Sequence, residues 1–185
     1  MQIEDILAAK KPASMECPVV LDQTLLDQVA AATTALEEVQ RKADRQGLSA
    51  AKRKLHEAER RCEEGTAKFH FEAVGRLEWE QLRDDHQPTD EQVEDWQRTM
   101  IGKGVSPSEA GRPPWNHETF PPTAIAASCV DPKMSVEQAR ALWDSPRFGA
   151  AELDKLFSAA VMVNTTSRQV SLGNVSGRTA GYATS

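Results

Sequence analysis

A chain of 185 residues, 39% hydrophobic and 27% charged, has material for one small domain with an appendage, and 5% aromatic content favours a thin, helix-rich core over a thick sheet sandwich. A net charge of −6 argues against nonspecific nucleic-acid binding, which draws its affinity from Lys and Arg neutralising phosphates. Three widely spaced cysteines, Cys17, Cys62 and Cys129, and no secretory signal imply reduced thiols in a cytosolic compartment, while no run nears the roughly 18 apolar residues that read as a membrane span.

In chain order, Ile3 to Ala9 reads as a short helix stopped by Lys10, Lys11 and Pro12. CPVVLD then offers a short strand around Val19, Val20 and Leu21. A sharper pattern follows. Leu25, Val29, Ala32, Leu36, Val39 and Ala43 recur at alternating spacings of 4 and 3, with Asp22 placed to cap the helix they define. Leu48, Ala51, Leu55, Ala58 and Cys62 repeat the seam, with Gly47 expected at the turn, Ser49 as the second cap and Gly65 as the stop. Two such seams predict an antiparallel coiled-coil helical hairpin over residues 22–66. Its alanines allow close approach but bury little area, so this arm should be marginal alone and pack on the core, another copy or a client. Lys52, Arg53 and Lys54 sit among Glu57, Glu59, Glu63 and Glu64, which reads as a solvated helix face rather than a phosphate site.

Beyond the arm, Phe69, Phe71 and Ala73 alternate with Lys68, His70 and Glu72, the period of a strand with one buried face, and the strand at Val19 is its natural partner. After Gly75 the pattern becomes helical, with Leu77, Trp79, Leu82 and Arg83, and stops before Pro88. Thr89 with Gln92 forms a capping box for a helix whose apolar face is Val93, Trp96 and Met100, ended by Gly102 and Gly104. Residues 102–122 have no period and read as a loop held to the body by Trp115 and Phe120. Pro121 and Pro122 suit the first turn of a helix through TAIAASCV, with Ile125 and Cys129 on one side. Ser135 with Gln138 caps a helix presenting Ala139, Leu142 and Trp143, and a last helix over about 150–163 buries Leu153, Leu156, Phe157, Ala160 and Val161. Residues 164–185, rich in Ser, Thr and Gly, are expected to be a disordered tail.

The expected architecture is therefore mainly α: an N-terminal segment with a short strand (1–21), the hairpin (22–66), a strand plus small helical domain (67–163) and the tail, with a two-stranded β element at the base of the arm. Chemistry is not apparent in it. His56, His70, His86 and His117 have no finger spacing with a cysteine, although a composite of His86, His117 and Cys129 stays open. Asp84 with Asp85 and Asp90 with Glu91 sit at helix ends, where carboxylates cap or are solvated. There is no GxSxG, no Walker loop and no glycine fingerprint after a strand. No catalytic, cofactor-binding or metal residue is assigned, no cofactor is expected, and the reading is non-enzymatic.

Taken in order, ILAAKKP, VVLD, FHFEAVGRLEWEQLRDDHQPT, WNHETFPPTAIAASCVDP, MSVEQARALWDS and LFSAAVMVN resemble the tail assembly chaperones of long-tailed, siphovirus-type phages that infect actinobacteria, over residues 3–164. Where a doubled proline is expected after His86 this chain has Gln87 and Pro88, which leaves the helix stop intact. The resemblance implies a non-catalytic factor of the host cell cytoplasm that binds the tape measure protein and helps major tail tube protein polymerise around it. Self-association is open, a longer frameshifted form is a family habit, and neither nucleic acid nor membrane is an expected partner. Leu25, Val29, Leu36 and Leu55 on the arm, with Trp96 and Trp143 on the helical domain, are the expected partner-binding residues. The alternatives are a minor tail or connector component of the virion and a coiled-coil adaptor.

Overall fold

The computed structural model describes residues 2–42 and 45–166. Among these, eight helices accompany one three-stranded antiparallel sheet. The order is α1 (Ile3–Ala9), β1 (Ser14–Val20), α2 (Gln23–Arg41), α3 (Arg45–Glu64), β2 (Thr66–Glu72), α4 (Arg76–Asp85), α5 (Asp90–Gly102), α6 (Phe120–Ser128), β3 (Cys129–Asp131), α7 (Val136–Trp143) and α8 (Ala150–Thr165).

β1 and β2 pair as the sequence suggests, with Cys17 opposite Phe69 and Val19 opposite Ala67. The strand is longer than VVLD and begins earlier, at Ser14, and Leu21 lies beyond it, 67% exposed. Backbone bonds from Leu21 N to Gly65 O (3.0 Å) and from Ala73 N to Ala13 O (2.8 Å) close the ladder at both ends. They fix its parity: odd residues of β1 turn their N–H and C=O towards β2, and even residues turn theirs away. Pro18, which has no N–H, occupies an even position and so costs the ladder nothing. Cys17, Val19, Phe69 and Phe71 are buried on one face of the sheet, while Glu16, Lys68, His70 and Glu72 stand in solvent on the other, where His70 Nε2 meets Glu16 at 3.2 Å.

The third strand corrects the expected two-stranded element. The helix through TAIAASCV stops at Ser128, and Cys129 opens β3 instead, pairing with Phe71. A bulge between His70 and Phe71 accommodates it. Cys129 thereby joins Phe71 in the core, with its thiol donating to Pro132 O at 3.4 Å, and the Asp131–Pro132 peptide that follows is cis.

α2 and α3 pack side by side and run in opposite directions, because the start of α2 and the end of α3 both lie at the Leu21–Gly65 pair. Asp22 caps α2 as expected, its Oδ1 accepting from Thr24 N at 2.9 Å. The joint is displaced from Gly47: Lys42 caps the end of α2 and α3 has begun at Arg45, so Gly47 and Ser49 lie inside α3. Ala43, the last residue of the first seam, lies outside the described residues. At the base, a Cβ on Gly65 would meet the end of the Leu25 side chain, which would have to turn aside.

The core lies between the buried sheet face and α4, α6, α7 and α8. Phe71, Phe120, Ile125 and Leu156 are fully enclosed. Phe120 stacks on Trp115 at 5.0 Å and meets Trp79 and Phe157 edge-on at 5.4 and 6.0 Å, so the loop carrying Trp115 is held to the body as expected. Leu77 is 70% exposed: with Trp79 and Leu82 turned in, the period of α4 leaves position 77 outside.

Polar clamps close the ends of these helices. Ser135 and Gln138 make both arms of a capping box, at 3.2 and 2.9 Å. Thr89 accepts from Gln92 N at 3.2 Å, but the reciprocal arm of that box is not made. The Gln92 side chain turns instead to Asn116, donating to its Oδ1 at 3.2 Å. α5 ends in a Schellman turn, with Gly104 N bonded to Ile101 O, Val105 N to Met100 O, and Gly104 at φ 88°. α8 runs past the expected end at residue 163, so Asn164 and Thr165 are helical. The tail expected beyond it falls, from Ser167 on, outside the described residues.

Candidate functional site

Among the described residues the buried polar side chains are Gln92, Asn116 and Ser128, and the open surfaces present apolar and charged side chains. One of them is the groove along the arm. Gln28 and Ala32 of α2 and Arg53, Lys54, Glu57, Ala58 and Arg61 of α3 line an open cleft of about 470 Å³. Ala32 and Ala58 give it an apolar part, and long charged side chains beside them extend that surface with their stems. Glu57 accepts from Arg60 (2.8 Å) and Arg61 (3.0 Å), which holds its carboxyl below the usual glutamate range. Arg60 also pairs with Glu64. Arg53, Lys54 and Arg61 line the groove with Glu57, which engages Arg61, so the groove is of mixed sign and suits a charged amphipathic helix better than a phosphate backbone.

Leu25, Val29, Leu36 and Leu55 are all half-buried between the two helices. Residues of α2 are nowhere fully buried, and in α3 only Ala51 is, among the described side chains. The arm is thus thinly covered, and Leu26 on its flank is exposed. Trp96 and Trp143, expected on one face, are each engaged internally on different elements. Trp96 Nε1 donates to Ala110 O at 2.8 Å and pins the loop after α5. Trp143 meets Phe157 edge-on at 6.1 Å and belongs to the packing around the core. Both are half-buried, and neither offers a bare ring.

Arg53, Lys54 and Glu57, read from the sequence as a solvated helix face, line the groove together with Gln28 and Arg61, which following the seam alone does not single out. Gln28, Lys54 and Arg61 stand immediately before Val29, Leu55 and Cys62, the flanking positions that line the mouth of a two-helix seam, so their signal was in the heptad register.

The histidine and cysteine set resolves into separate structural parts. His86 Nδ1 lies 2.8 Å from Thr119 Oγ1, and its carbonyl accepts from Asn116 N at 2.7 Å. His117 is exposed, and Cys129 is buried beneath the sheet. Burial pushes the Cys129 thiol up to about 11 and raises Cys17 as well, the latter opposed by the nearby Lys155 ammonium. Thiols so displaced are poor nucleophiles and poor metal ligands at neutral pH. Among the described residues no group of three or more His, Cys, Asp or Glu side chains is arranged to hold a metal ion, and no helix is long and apolar enough to cross a membrane.

No protein-family model, no curated protein and no solved structure matches this chain.

Proposed function

We propose that this chain is a non-catalytic tail assembly chaperone of a siphovirus-type phage, acting in the host cytoplasm to bind the tape measure protein and promote polymerisation of the major tail tube protein. The observation that carries the reading is the segmental resemblance, and above all FHFEAVGRLEWEQLRDDHQPT and ETFPPTAIAASCV. These two segments supply Phe69, Phe71, Trp79, Phe120 and Ile125, the side chains around which the body packs. The segments that carry the resemblance are therefore also those that decide the fold.

The arm supports the same reading on physical grounds. A chaperone for a long helical client needs apolar surface that is accessible yet too small to drive aggregation, surrounded by charge. Half-buried Leu25, Val29, Leu36 and Leu55 beside a mixed-charge groove meet that need. We read α2 and α3 as an antiparallel coiled coil whose groove receives a helix of the tape measure protein.

The test is co-expression with the tape measure protein followed by affinity capture. The full chain should retain the client, and a variant in which residues 22–64 are replaced by Asn-Gly should retain at most about a tenth as much. Equal capture by both would remove the arm from the binding surface. Mass spectrometry of purified particles addresses the virion-component alternative: a chaperone is absent from them, and stoichiometric presence would overturn the proposal.

A further inference from the structure

The charges of the arm are sorted along its length. Ala32 and Lys54, which line one groove, mark a level about halfway out from the Leu21–Gly65 pair where both helices leave the sheet. On the inner side of that level Asp22, Asp27, Glu57, Glu59, Glu63 and Glu64 stand against Arg60 and Arg61, a net −4. From that level outward Arg41, Lys42, Lys52, Arg53 and Lys54 stand against Glu37 and Glu38, a net +3 among the described side chains. The two halves also differ in how their cations are held. Arg60 and Arg61 are both engaged by Glu57 of their own helix, whereas none of the five outer cations makes an ion pair among the described residues. Half-buried Leu25, Val29, Leu36 and Leu55 meanwhile lie between only two helices, and a second pair of helices would cover that seam as in a four-helix bundle.

We propose that the arm pairs with the arm of a second copy, head to tail about a two-fold axis, so that the outer half of each lies on the inner half of the other. A second copy is favoured over a foreign helix because the arm is complementary to its own reverse: +3 meets −4 twice, and a two-fold contact requires that kind of self-complementarity. Pairing in the same direction would set +3 on +3 and −4 on −4. The sign changes on the groove face between Lys54 and Glu57, one turn apart on α3, and an axis crossing the helix there places Lys54 of each copy against Glu57 of the other. One exposed ion pair contributes little, so the weight lies in each half being of one net sign over a span of about two Debye lengths. The face is about 30 Å long, from the 20 residues of α3, and roughly 20 Å wide, which covers about 1,200 Å² counted over both copies, the lower edge of specific interfaces. The dimer is therefore in exchange with monomer. It covers the groove, so a second copy and a client helix exclude one another there; that consequence rests on the reading above, while the pairing itself does not.

Analytical sedimentation of the full chain, with no client present, tests the pairing. The dimer dissociation constant should rise about tenfold or more in the triple variant Lys52→Glu, Arg53→Glu, Lys54→Glu, and by a similar factor in the parent when salt is raised from about 0.05 to 0.5 M. Unchanged helical circular dichroism shows that the variant arm is still folded. Disulfide cross-linking in a Cys62→Ser background reads the orientation, since Cys17 and Cys129 are buried. Positions 50 and 61 lie equally far on either side of the axis, so chains carrying Ala50→Cys should join chains carrying Arg61→Cys and neither should join its own kind. A chain that stays monomeric at about 1 mM, a dimer indifferent to both the triple reversal and salt, or links of 50 to 50 and 61 to 61 would each overturn the proposal. Client capture by the full chain is a separate readout, so the pairing and the chaperone reading fail independently.

Discussion

At the scale of single residues, the side chains that do most lie at junctions. Asn164 Nδ2 donates to Ser128 Oγ (2.9 Å) and Ala160 O (2.7 Å), while its Oδ1 accepts from Val74 N (2.9 Å). One amide thus fastens α8 to the end of α6 and to the exit of β2. Asn164→Ala should cost about 1–3 kcal/mol in urea denaturation, because it leaves a half-buried N–H without its acceptor. Asn164→Asp, which keeps the acceptor and loses both donations, should fall between that variant and the parent. The buried thiols give a pH signature. Below the ordinary cysteine value near 8.5, both folded and unfolded chains hold these protons and the contribution is constant. Above it the unfolded chain releases them while the folded one keeps Cys129 protonated to about 11, so folding stability falls through that interval. Cys129→Ala should flatten the decline relative to the parent, and an unchanged alkaline slope would show that the burial is not felt.

At the scale of elements, the sequence was legible wherever one period ran long enough. α1 has the expected bounds, the β1–β2 pairing follows from alternation, and the two seams found their helices. What escaped was decided by neighbours. β3 is three residues long, too short to carry any period, and exists because Phe71 offers it a partner. Gln92 has the right residue and spacing for a capping box, yet its side chain is drawn to Asn116, which also accepts from the backbone N–H of Glu118 and Thr119. Gly47 looked like a turn only because glycine is permissive; helix α3 absorbs it at a modest propensity cost. The seam showed the arm's contact line but not its groove, whose walls belong to flanking positions. The arm itself should be separable from the body. Replacing residues 22–64 by Asn-Gly leaves Leu21 and Gly65 as the closing pair of a two-residue hairpin. Such a chain should keep cooperative thermal unfolding and its tryptophan fluorescence maximum while losing roughly the helical circular dichroism of α2 and α3.

At the scale of the whole molecule, the first residues belong energetically to the last. Cys17 and Val19 share one core with Leu156, Ala160 and Val163, so the body is closed only when β1 is in place. Removing residues 1–10 takes away α1, which buries no side chain, and should change stability by less than about 0.5 kcal/mol. Removing residues 1–21 uncovers Phe69 and Phe71 and should abolish cooperative unfolding, as a broad, structureless calorimetric trace would report. The Leu21–Gly65 pair has one more consequence. Both legs of the arm depart from a single rung of the sheet, so its reach can be reset without touching that rung. Adding or removing seven residues in each leg moves the tip by about 10 Å and leaves the seam in register. The protein is built like a gauge on a fixed mount: paired insertions would lengthen or shorten the arm and leave the body unchanged.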